Sequence, residues 1–136
     1  MNIHVITFCI GLLGLLVFGL GLAVSVRRGA TRTNFGYSTD PTDSFYKLVR
    51  AHGNAAEYAA MLAVLMLLLA GRAPGPLITG TCVVATVARY VHAAGMILSP
   101  TLDRPYPLRF AGALLTYVAG LVLAVAVVLA GARGEM

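Results

Sequence analysis

IHVITFCIGLLGLLVFGLGLAVSV, residues 3–26, carries no formal charge outside His4 and then runs into Arg27-Arg28. A helix needs about 20 predominantly apolar residues to cross the hydrocarbon of a bilayer, so this run is long enough to span with some tilt. It differs from a cleaved leader. Its leading flank is nearly chargeless, its apolar core exceeds the usual length of roughly 7–15 residues, and two arginines follow where small residues would mark cleavage. The run therefore reads as a permanent first transmembrane helix. Gly11, Gly14, Gly19 and Gly21 give a neighbouring helix room to approach closely.

Working outward, three more apolar runs follow, at residues 45–70, 77–98 and 109–130. Asp40-Pro41-Thr42-Asp43-Ser44 offers a turn and a helix N-cap before the second. Gly71, Pro74, Gly75 and Pro76 break the chain between the second and third, which makes those two helices an antiparallel hairpin. Pro100, Pro105 and Pro107 separate the third from the fourth. The chain has 136 residues, of which 59% are hydrophobic and only 11% charged, and its mean hydropathy is +0.85. A soluble domain needs about a quarter of its residues charged. Four spans use about 80 residues and leave only short connections, so residues 1–136 form one domain: an all-α membrane protein, a four-transmembrane-helix bundle.

The net charge of +5 does not mark a nucleic-acid binder, whose Lys and Arg line one polar face. Here they punctuate apolar runs, and the partners that fit are the lipid bilayer and an anionic small molecule. Cys9 and Cys82 lie inside apolar stretches without metal-ligand spacing, so no metal is expected. Arg27, Arg28, Arg32, Lys47, Arg104 and Arg109 cluster about the loops after the first and third helices, against Arg72 and Arg133 on the other side. By the positive-inside rule those two loops face the cytoplasm.

An ionised side chain in hydrocarbon costs roughly 2.5–3.5 kcal/mol on insertion scales, yet this chain carries several. Arg50, Asn54 and Glu57 stand at i, i+4 and i+7 and share one face of the second helix; Arg89, His92 and Met96 do likewise on the third. Two readings stand. In one, Glu57 and Arg89 form a buried ion pair that fixes helix register while Lys47, Arg50, Arg104 and Arg109 snorkel to the interface. In the other, Arg27, Arg50 and Arg109, with Asn54 and His92 about a turn deeper, build a pocket for a polyanionic small molecule. Tyr46, Tyr90, Tyr106 and Tyr117 read as interfacial anchors or packing residues, and His52, on the opposite side of its helix from Arg50, as meeting headgroups or another subunit.

Arg50-Ala51-His52-x-Asn54-x-x-Glu57-Tyr58, then Arg89-x-x-His92-Ala93-x-Gly95, then Pro107-Leu108-Arg109, resembles the MAPEG family, the membrane-associated proteins of eicosanoid and glutathione metabolism, in the manner of its microsomal glutathione transferase-like members. The likeness covers nearly the whole chain. It implies a homotrimer that binds glutathione, or a related thiol, between subunits near the cytoplasmic side. Arg27, Arg50, Asn54, Glu57, Tyr58, Arg89 and His92 would then hold the thiol cosubstrate, and Arg109 would be the catalytic arginine that stabilises its thiolate.

Three positions depart from the family pattern: Met96 where a Tyr is common, Gly53 where prostaglandin E synthase has Arg, and Ala60 where a proline often follows. The longer loop before Arg109 leaves Arg104 as an alternative thiolate partner. The expected function is a glutathione transferase or peroxidase acting on lipophilic electrophiles, in a prokaryotic inner membrane. The alternative is a non-catalytic lipid-binding protein or accessory subunit of a larger membrane complex.

Overall fold

The computed structural model describes residues 2–134, and over them the chain forms four α-helices: α1 (Asn2–Thr31), α2 (Ser44–Ala70), α3 (Pro76–Leu98) and α4 (Pro107–Ala132). All four are long and apolar enough to cross a membrane. Local chemistry sets their ends. The Asp43 carboxylate accepts the Tyr46 amide at 2.7 Å and caps α2. Pro76 and Pro107 open α3 and α4, where the missing N–H has no helical partner to lose.

The main departure from the sequence expectation is at α1, which continues through Arg27 and Arg28 to Thr31 rather than giving way to a loop at Arg27. Charge ends the hydrocarbon run but breaks no backbone hydrogen bond. The helix stops only at Arg32, whose φ of +52° is left-handed. Arg28 then reaches forward, donating from Nη1 to the carbonyls of Thr33 at 3.3 Å and Gly36 at 3.0 Å, with its guanidinium 5.3 Å over the Phe45 ring. One side chain so ties the α1–α2 loop to the start of α2.

The core is a seam of Ile6, Cys9 and Leu13 from α1, Leu62 and Met66 from α2, Cys82 and Ala85 from α3, and Leu123 from α4. Larger side chains point outward, Phe18 at 80% exposure among them. This inversion fits a chain solvated by lipid, where burial of apolar groups gains little and close packing holds the helices. α1 and α4 do not approach one another, so they form the two open edges of the bundle. At one end the Leu102 amide donates to the Pro41 carbonyl at 3.0 Å and Lys47 Nζ to the Ser99 carbonyl at 2.9 Å, joining the loops after α1 and α3. At the other end Asn2 Nδ2 donates to the Pro74 carbonyl at 2.6 Å.

Candidate functional site

Two glycines decide where α3 and α4 meet. A Cβ on Gly95 would lie 2.8 Å from Arg109 Cα, and one on Gly112 would lie 2.7 Å from both Cα and Cβ of His92. Each helix thus presents a glycine to the other at the level of a polar residue, and the backbones touch there. The contact brings His92 Nδ1 within 2.9 Å of the Arg109 carbonyl. A carbonyl only accepts, so Nδ1 carries the hydrogen of this bond.

One helical turn deeper lies Arg89, 1% exposed and the largest fully buried side chain. Its Nη2 donates to Asn54 Oδ1 at 2.6 Å and to the Asn54 carbonyl at 3.2 Å, and its guanidinium stands 5.0 Å over the Tyr58 ring. Its Nε is buried with no hydrogen-bond partner. The ion pair between Arg89 and Glu57 does not form: Glu57 is exposed on the outside of α2, and the neutral Asn54, one turn nearer the loops, answers the guanidinium in its place. A buried cation without a counter-ion is costly, and the unused Nε donor leaves that cost partly unrelieved.

Two hollows follow from this arrangement. The larger, about 360 Å³, is bordered by His92, Asp103, Arg104, Tyr106, Arg109, Phe110 and Ala113 at the loop end of α3 and α4, so one exposed carboxylate stands beside the two arginines. The smaller, about 20 Å³, lies deeper among Asn54, Tyr58, Arg89, His92, Thr116 and Tyr117. His92 and Ala113 border both. Arg109 is half-buried and donates from Nη2 to the Arg104 carbonyl at 2.7 Å, so both arginines weighed for the thiolate face one hollow.

Of the residues anticipated for the site, Asn54, Tyr58, Arg89, His92 and Arg109 come together within one chain. Arg27, Arg50 and Glu57 do not. Arg27 is exposed near the end of α1 with Nη2 3.4 Å from Ser44 Oγ, and Arg50 and Glu57 are exposed on α2. His52, read as meeting headgroups or another subunit, instead packs inside the protomer: its Nε2 would lie 3.1 Å from a Cβ on Gly21 of α1. Tyr117, read as an anchor, is a neighbour of the site, its hydroxyl 2.8 Å from that of Tyr58. The spacing Arg109, Ala113, Tyr117 on one face of α4 was the signal for it.

Comparison with curated proteins gives no match. The model of the MAPEG family matches residues 6–129, from the first turns of α1 to the last turns of α4. With four membrane-spanning helices and this match over almost its whole length, the chain is an integral membrane protein that belongs to the MAPEG family.

Proposed function

We propose that the protein is a membrane-bound transferase or peroxidase that uses glutathione, or another low-molecular-weight thiol, to act on lipophilic electrophiles. The observation that carries the reading is the excess of positive charge at the site, Arg89, Arg104 and Arg109 against the single exposed carboxylate of Asp103. Among the described residues neither Arg89 nor Arg109 is in an ion pair with a carboxylate; their guanidinium donors go to Asn54 and to the Arg104 carbonyl. A small molecule bearing carboxylates would supply the missing counter-charge. A thiol placed beside Arg109 would favour its thiolate, the nucleophilic form, because a nearby cation stabilises the anion.

Exposed Arg50 and Glu57 support a homotrimer with the thiol at the boundary between protomers. Both interrupt the α2 surface, and ionised groups facing lipid are expensive; a second copy laid over that face would bury them beside the cosubstrate and bring in Arg27 from α1. The proposal puts the loops after α1 and α3 on the cytoplasmic side of a prokaryotic inner membrane, from which a water-soluble thiol enters while the electrophile arrives from lipid. The test is conjugation of 1-chloro-2,4-dinitrobenzene with glutathione by the purified protein, with melting temperature followed against glutathione. No turnover together with no rise in melting temperature would remove the reading.

A second reading, lipid binding without catalysis, has one observation in its favour: a groove of about 370 Å³ between α3 and α4 lined by Leu77, Val84, Leu115, Val118 and Val122. It predicts that Arg109→Ala leaves the biological role intact and that a larger complex co-purifies from native membranes.

A further inference from the structure

Arg109, Ala113 and Tyr117 follow at i, i+4 and i+8 along one face of α4, each separated from the next by about 6 Å of helix rise. Ala113 borders the hollow that holds Arg109 and the hollow that holds Tyr117. A cationic residue therefore stands one turn to one side of Ala113 and a hydroxyl-bearing residue one turn to the other, about 12 Å apart along the helix axis.

The hydroxyl is held in place. Tyr117 and Tyr58 meet edge to face with ring centroids 5.7 Å apart and their oxygens 2.8 Å apart. Either hydroxyl can donate in this pair, and the Arg89 guanidinium over the Tyr58 ring, which stabilises the electron density that collects on a donating oxygen, favours the arrangement in which Tyr58 donates and Tyr117 accepts. The proton of Tyr117 is left for another acceptor. Tyr117 is also 54% exposed on the outer surface of α4, where a molecule dissolved in lipid meets it.

We infer that Tyr117 is the hydrogen-bond donor to the lipophilic cosubstrate, and that this cosubstrate is an electrophile whose oxygen gains negative charge as sulfur attacks, as in an α,β-unsaturated carbonyl compound. The inference rests on the transferase reading above. The thiolate sulfur, seated over Ala113, forms a C–S bond at the β-carbon. The C=C π pair shifts toward the carbonyl carbon and the C=O π pair moves onto oxygen. Tyr117 gives its proton to that oxygen, and Tyr58, still donating, steadies the phenolate. The proton released to water when the thiol ionised returns to Tyr117, and the enol relaxes to the carbonyl adduct. Thiol plus enone gives one product, with no oxidant or reductant. Substitution at an alkyl iodide makes no such demand: the C–I bond breaks, iodide leaves with the electron pair, and no oxygen becomes charged.

The experiment compares trans-2-nonenal with 1-iodohexane, glutathione being the thiol, for the full-length wild type and Tyr117→Phe. The expected result is a fall of about 100- to 1,000-fold in the ratio of kcat/KM for the enal to that for the iodide, with the KM for glutathione retained. An unchanged ratio in a protein that turns over both compounds overturns the role of Tyr117 and leaves the transferase reading standing. A wild type that conjugates neither overturns both. If Tyr117→Phe fails to fold, Tyr58→Phe removes the same pairing from α2, and its ratio must fall in the same direction or the inference fails.

Discussion

Arg89 is the residue on which the site turns, because two different residues converge on it and neither is charged. Asn54 takes one end of the guanidinium, Tyr58 takes its face, and Nε is left over. Arg89→Ala would leave Asn54 and Tyr58 facing an empty hollow; a loss of about 3 kcal/mol or more is expected, since removing a large buried side chain creates a cavity and strands its polar partners, read as a lowered melting temperature in detergent. Asn54→Leu is expected to be worse than Glu57→Leu by about 2 kcal/mol, because only the former strips the buried cation of its acceptor; equal effects would restore the ion pair as the operative contact. At this scale the sequence was half legible. Helical spacing puts Arg50, Asn54 and Glu57 on one face but does not say which of them turns inward, since Asn54 and Glu57 are only about 60° apart on the helix wheel, and the neutral residue is the one that bonds the buried arginine.

The helices themselves were legible where turn chemistry marks them and misread where charge alone does. Proline, glycine and the Asp43 cap located α2, α3 and α4 to within two residues of the observed ends, whereas the arginines after Val26 were taken as a boundary that the backbone ignores. Asp43→Ala is expected to cost about 1 kcal/mol through loss of the Tyr46 amide bond, measured by thermal melting. The α3–α4 contact was not legible, because Gly95 and Gly112 look like any other glycines of an apolar run; only the touching backbones give them meaning. Gly112→Ala is expected to force α4 away from His92 and to break its bond to the Arg109 carbonyl, lowering both melting temperature and any glutathione affinity, while Gly80→Ala on α3, with open space around it, is expected to leave both in place. A neutral Gly112→Ala would show that the close crossing is not what positions the two residues.

Over the whole molecule, composition and run length were enough to read four spans, and the family match covers all four, over residues 6–129. Composition could not show how copies assemble, because an interface between membrane helices is as apolar as the surface that faces lipid. The exposed Arg50 and Glu57 on α2 are the exception that points to assembly. Mass measurement in a mild detergent is expected to give three copies of the 14.2 kDa chain, with Glu57→Leu altering the glutathione dependence more than the mass; a stable monomer that still turned over would separate the site from any boundary between copies. If the arginines of the site receive an acidic thiol compound, the melting temperature of the purified protein must respond to titration with glutathione. A saturable rise that is absent from Arg109→Ala is the predicted result; a flat curve for the unaltered protein, or an equal rise in the variant, would contradict it.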